Sequence, residues 1–239
     1  MMIYAPIYVM SLARVRAPIM SPVTPTAGAA ARSVHVVALL GIAIAASLVA
    51  SNSAVNAAAG RPVSHQPGMY GDPIAAAPYW RQQHSSNCGE MAVADVVGQL
   101  TGHEPTEQLI TALAESTPST ARPGPIWNVP AGTDIRDLPV LLAHYRIKAD
   151  NIQTTIDALQ QDLVERRGVI VILNAETIWN RLGSRNAANH FVVVTGIDPR
   201  EGLVHLNDSG APNGRDERVP IATFAQAWAP NHNSAIVTR

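Results

Sequence analysis

Cysteine is nearly absent from this sequence, since its 239 residues contain only Cys88. One thiol cannot close a disulfide within the chain, and it rules out a CxxC metal or redox pair. No HExxH spacing occurs, nor any other close His/Cys/Asp pattern, so neither a metal nor a cofactor is expected. GxxxxGK[ST] is missing, which excludes a P-loop nucleotide site. Charged residues are few, 15% of the chain, and the basic ones are scattered. Binding a phosphate backbone needs clustered positive charge, so nucleic acid is not an expected partner. Long apolar runs are lacking too. Val36 to Ala50 (VVALLGIAIAASLVA) covers fifteen residues, short of the roughly 20 that span a bilayer as a helix.

Acidic residues are absent before Asp72, whereas Arg14, Arg16 and Arg32 precede the apolar run. The small-residue stretch SNSAVNAAAG follows it, with Val55 and Ala57 suited to a cleavage site. This is the layout of a secretory signal peptide over residues 1–57, and it predicts a secreted or cell-envelope protein. The basic region is long, so Met20 is an alternative start. An uncleaved anchor is the alternative fate, and contact with a membrane is then confined to this segment. Cleavage after Ala57 leaves fourteen basic against eighteen acidic residues, a net charge near −4. A Pro- and Gly-bearing linker, residues 58–77, leads to a domain over 78–239.

The segment Tyr79–Gly102 (YWRQQHSSNCGEMAVADVVGQLTG) carries the cysteine. Asn87 is a good N-cap, and Glu90 three positions on completes a capping box, so Cys88 is predicted as the first residue of a helix. Ala92, Val93, Val96, Val97 and Leu100 recur at helical spacing and predict one buried face. Unpaired N–H groups and the positive end of the helix dipole favour a thiolate there. Such positions lower a cysteine pKa from about 8.5 into a range of about 3.5–7.5 when a cation is near. A lone cysteine is ordinarily a small buried hydrophobe. The polar run Gln82, Gln83, His84, Ser85, Ser86 and Asn87 suits a cleft wall better. An exposed free thiol outside the cytoplasm is an oxidation hazard unless it is used.

A second helix is predicted from Pro105–Thr106 to Ala114, with Leu109, Ile110 and Leu113 inward. Prolines 118, 123, 125 and 130 predict a loop, whose Trp127 either lines a cleft or plugs the core edge. Thr133 and Thr154 are predicted caps of two further helices, to about Tyr145 and Gly168. Strands are predicted at Val169–Leu173, His190–Ile197 and Leu203–Asn207, the last two as a hairpin. Between the first two, residues 174–189 read as a surface loop containing Trp179. A short helix over Ile221–Trp228 and a final strand over Ala235–Thr238 close an α+β domain.

A cysteine nucleophile needs a base, and the base needs a group to orient it. Of the eight histidines, His35 and His65 precede the domain, and His84 is too near Cys88 in the chain. His103, His144 and His232 follow no pattern. His205 alternates with Val204 and Leu206 and reads as a solvent-face strand residue. His190 stands at the mouth of a strand after a polar loop, and Asp208 ends the strand paired with it.

Cys, His and Asp in this order, with a helix first and a hairpin after, resemble the papain-like cysteine peptidases. Gln82, Cys88 and Gly89 (Q-x5-CG), the HFVVVTGID segment from His190 and the strand ending Asn207–Asp208 are similar to the C39-like peptidase family. Phe224 and Trp228 before the last strand agree with it. The resemblance covers about Pro78 to Thr238. It implies a papain-like fold of amino-terminal helices packed on an antiparallel sheet, and a peptide or protein substrate. It further implies Cys88 as nucleophile, His190 as general base and then acid, Asp208 as orienter and Gln82 as oxyanion donor. Gln83 competes with Gln82, and Asn207 with Asp208. Two departures stand out. Glu90 replaces the Pro that many members carry after Cys-Gly. The membrane and ATP-binding regions of bacteriocin-processing members are missing, so their substrate is not carried over. Transfer to an amine instead of water, or binding of a peptide or wall component without cleavage, fits the same sequence.

Overall fold

The computed structural model of the protein describes residues 68–239. The expected signal peptide, residues 1–57, and the expected linker as far as residue 67 lie outside the described residues.

Two apolar runs decide where the core lies. β3 (Val169–Leu173) and β4 (His190–Asp198) pair antiparallel, Leu173 opposite His190 and Val169 opposite Val194. Ile170, Phe191 and Val193 enter one hydrophobic cluster, whereas Val169, Val171, Leu173, Val192 and Val194 enter another. Alternate side chains of a strand point to opposite faces, so both faces of this sheet are covered. That is why the runs are continuous instead of alternating apolar with polar residues.

β2 (Ala149–Gln153), β5 (Leu203–Asn207), β6 (Glu217–Pro220) and β7 (Ser234–Thr238) complete the sheet in the order β2-β7-β3-β4-β5-β6. β1 (Tyr70–Gly71) joins the far end of β4, with Tyr70 opposite Ile197. One face carries α2 (Cys88–Thr101), α3 (Glu107–Ser116) and α4 (Leu138–His144). The other carries α5 (Ile156–Val164) and α7 (Ile221–Trp228). The short helices α1 (Pro73–Ala76) and α6 (Ala175–Ile178) border the sheet. Helices first and antiparallel strands after make the α+β arrangement expected from the sequence. Among the described residues no helix is long and apolar enough to cross a membrane.

Several local expectations are corrected. α2 is buried all round from Gly89 to Gly98, not on one face, because it lies between α3, α4 and the sheet. Leu100 falls beyond that cover and is exposed. In α3 Ile110 and Ala114 are buried and Leu113 packs against the same cluster as expected, but Leu109 is 63% exposed. The capping box does not form. Asn87 donates through Nδ2 to Glu107 and Thr111, at 3.0 and 2.9 Å, and makes no cap bond. Glu90 instead accepts from Thr133, so Asp134 replaces Thr133 as the cap of the turn leading into α4. Thr155, one residue on from Thr154, caps α5. Trp127 belongs to the core, and its Nε1 donates to the Ser86 carbonyl at 3.0 Å. Residues 70–76, read as the end of the linker, supply β1 and α1 to the domain.

His205 is likewise buried, not solvent-facing, and its Nδ1 is 2.6 Å from Asp216 Oδ1. Gly196 lies opposite it on β4, and a Cβ there would meet Met69 and Pro73 at 3.0 Å. The segment expected to be linker therefore covers this face of the hairpin.

The orientation of α3 is testable in urea unfolding. Ile110→Ala is expected to cost about 2–5 kcal/mol, as for a fully buried aliphatic side chain, and Leu109→Ala to stay within about 0.5 kcal/mol. Equal losses would mean that α3 presents the other face.

Candidate active site

Cys88 is the first residue of α2 and is half-buried. Gly89 lets this helix start lie close to β4. A Cβ at that position would stand 3.3 Å from both Phe191 and Leu138, tighter than ordinary packing. Phe191 follows His190, so the Cys-Gly pair seats the thiol beside the histidine strand. The loop ahead of Cys88 is held at several points. Glu107 accepts from the His84 N–H at 2.8 Å and pairs with its Nδ1 at 2.7 Å. Burial opposes ionisation of Glu107, but the bonds from His84 and Asn87 prevail and hold its carboxyl below the usual range.

His190 is buried, and its Nε2 lies 2.7 Å from Asp208 Oδ1. The Cys88 side chain lies close enough to the imidazole to favour its charged form. With Nε2 committed to Asp208, Nδ1 is the nitrogen left to face the sulfur. Burial alone would disfavour the imidazolium. The bond to Asp208 and the influence of Asp208 and Cys88 outweigh it, and the His190 pKa rises from 6.5 to about 10.

Asp208 has no exposed surface. Its Oδ1 also accepts from the Gly210 N–H at 2.7 Å, and its Oδ2 accepts from Trp179 Nε1 at 2.8 Å. Burial would raise its pKa, but His190 and these donors hold the carboxyl below the usual carboxylate range. Asn207, the competitor, points elsewhere: its Nδ2 donates to Asp95 Oδ2 at 2.8 Å and to the Ala76 carbonyl at 3.1 Å. It joins β5 to α2 and α1, away from the imidazole.

The two glutamines also separate. Gln83 is engaged at both ends of its amide, accepting from Ser209 Oγ at 2.7 Å and donating to the Ser85 carbonyl at 2.8 Å. Gln82 is exposed on the same loop. Cys88, His190 and Asp208 are thus brought together, and Gln82 stands on the loop leading to them. Glu90 is fully buried, and burial pushes its pKa to about 7 although Thr133 donates to it. The negative charge that Glu90 would place two residues from Cys88 is therefore partly suppressed at neutral pH.

Sequence reasoning missed both tryptophans of the site. Trp179 was placed in a surface loop, yet its ring lies 4.8 Å from the His190 ring, centroid to centroid. Trp80 Nε1 donates to the Asp208 carbonyl at 2.6 Å. A tryptophan within an otherwise polar loop was the available signal. Gly210 and Gly214 were missed as well. A Cβ on Gly210 would approach His190 Cε1 to 2.8 Å, and one on Gly214 would overlap the Asp208 carbonyl.

Comparison with known proteins agrees with this architecture. Residues 74–236 match the model of the Peptidase_C39 like family. Uncharacterized proteins of Mycobacterium tuberculosis and Mycobacterium bovis are 45% identical over 195 residues, covering 71% of this chain and 84% of theirs. A crystal structure of a putative C39-like peptidase from Bacillus anthracis aligns with a TM-score of 0.53 at 19% identity, over 70% of this chain and 96% of that one. Helices seated on an antiparallel sheet, a papain-like arrangement, and a match over most of the domain lead to one assignment: the chain belongs to the C39-like peptidase family.

Proposed function

We propose that the protein is an exported cysteine peptidase that hydrolyses a peptide or amide bond. The observation that carries the reading is a histidine bonded to a buried carboxylate and set beside the only cysteine. In this reading Cys88 Sγ attacks the scissile carbonyl carbon and forms an acyl-enzyme. His190 takes the thiol proton and gives it to the leaving amine, then removes a proton from the water that releases the acid. Asp208 keeps the imidazole oriented and balances its charge. The Cys88 N–H, free at the first turn of α2, and the Gln82 amide stabilise the oxyanion. The double engagement of Gln83 favours Gln82 for that role. No cofactor is required. The acid-free, arginine-bearing segment 1–57 motivates export, with a secreted or envelope-bound peptidase domain as the outcome.

Cys88→Ala is expected to abolish hydrolysis while costing about 1 kcal/mol or less in stability, because a half-buried first-turn thiol loses little area. Gln82→Ala should lower kcat by about 10²-fold or more, as for loss of one oxyanion donor. A cleaved peptide or casein substrate with kinetics identical in wild type and Cys88→Ala would end the proposal.

Alkylation tests the pair directly. At about pH 6, where an ordinary thiol with a pKa of about 8.5 is almost wholly protonated, iodoacetamide should still modify Cys88 readily, and His190→Ala should slow it roughly tenfold. Asp208→Ala should slow it less. Equal rates in all three proteins would leave a binding domain with an incidental cysteine.

Stability should follow the same ion pair. His190 is held above its unfolded pKa, so its stabilising contribution is complete below 6.5 and is lost as pH rises towards about 10. Urea midpoints are expected to fall across that window in wild type, and the fall should be shallower in His190→Gln. Parallel curves would contradict the imidazolium assignment.

Processing is checked by amino-terminal sequencing of the exported form. A start near Ala58 is expected, full-length protein in the membrane would indicate the anchor, and recovery in the cytosol alone would remove export from the proposal.

A further inference from the structure

Two arginines stand at the site with no carboxylate of their own. The Arg181 guanidinium carbon lies 4.5 Å from the Trp179 ring centroid, and that of Arg215 lies 5.4 Å from the Trp80 centroid. Both are exposed, and neither forms a salt bridge among the described residues. The two indoles are part of the site. Trp179 donates to the Asp208 carboxylate and lies against His190, and Trp80 donates to the Asp208 carbonyl. Each guanidinium is therefore one aromatic ring away from Asp208.

The nearby acids do not neutralise them. Glu176 accepts from Asn174 and Asn189, each at 3.0 Å. Asp216 is paired with His205 and Arg218. Asp208 is buried against His190, and burial together with the Asp208 charge pushes Glu217 up to about 7. An arginine stacked on an aromatic face loses part of its side-chain freedom while its N–H donors stay directed outward. A carboxylate is the group that such a fork binds in two parallel bonds.

We infer that the rim formed by Arg181 and Arg215 recognises a carboxylate on the substrate, so that the preferred substrate is a peptide bearing an acidic side chain or a free terminal carboxylate next to the bond attacked. The inference rests on the peptidase reading above and adds the substrate class. The bound carboxylate would lie beside Trp179 or Trp80, and its recognition would depend on salt because both arginines face solvent.

The probes are epoxysuccinyl peptides that alkylate a cysteine, identical except for a Glu or a Gln next to the epoxide, with that residue placed on either side of it. The Glu probe should label Cys88 about tenfold faster than its Gln partner in one of the two placements at low salt. Arg181→Gln or Arg215→Gln should reduce that preference and leave the rate with the Gln probe unchanged. Arg181→Lys, which keeps the charge, should retain part of it. A merely structural role for either arginine would slow both probes alike and overturn the inference. So would equal rates for Glu and Gln in both placements, or a preference that survives in the double variant. Labelling by the Gln probe that His190→Ala leaves unchanged would sink the peptidase reading itself. His190-dependent labelling without a carboxylate preference would sink this inference alone.

Discussion

An ionised carboxylate withdrawn from water is stable only when donors replace its hydration. The effective penalty for an unpaired buried ion is several kcal/mol. Asp208 is in that position, and its donors come from separate segments: His190 from β4, Trp179 from the end of α6 and Gly210 from the turn after β5. The turn is closed by Asp208 N–H donating to the Gly214 carbonyl at 2.8 Å, where no side chain could be accommodated. The orientation of the imidazole is thus a consequence of satisfying the carboxylate. Loss of any one donor would leave charge unmatched and loosen the geometry of the others.

The helix that carries the thiol is tied to the same point from the opposite side. Asp95 lies on α2 and accepts from Asn207, the residue before Asp208, and from Gln99. Burial pushes the Asp95 pKa to about 7 despite both donors. Asn207 also reaches the Ala76 carbonyl, so the segment 70–76, the cysteine-bearing helix and the end of β5 share one buried polar link. Polar networks of this kind restrict a core to one register, since any slip leaves a donor or acceptor unpaired in a low dielectric. Gly89, Phe191 and Leu138 provide the apolar counterpart of that link at the start of α2.

Side-chain donors account for how a chain with 15% charged residues keeps several acids inside. Glu90, Asp95, Asp137 and Asp208 are all buried, and each accepts from a side chain. The apolar surface needed to hold them comes from the continuous strands and from a central helix covered on every side.

Much of the domain was legible in the sequence because it depended on local chemistry. Continuous apolar runs marked β3 and β4, the turn after β4 marked β5 as its hairpin partner, helical spacing marked α2, and Ile221–Trp228 was predicted with the bounds of α7. Cys88, His190 and Asp208 were identifiable by residue type and order, since a helix start, a strand mouth and a strand end can be read along the chain. The edges were not legible. β1 and β2 are short strands stabilised by partners distant in sequence, and local propensity cannot foresee such pairing. β6 is a four-residue strand beside its neighbour β5, too short to stand out from the turn before it. Whether Asn207 or Asp208 meets the imidazole depends on the side from which each projects, and whether Asn87 caps α2 depends on α3 competing for its amide. His205 was misjudged because Met69 and Pro73, which close over Gly196 opposite it, come from more than a hundred residues earlier. The sequence by itself determined the central strands, the cysteine-bearing helix and the types of residue available for chemistry. The tertiary structure decided which polar groups meet, because burying a charge is tolerated only where distant segments converge to bond it.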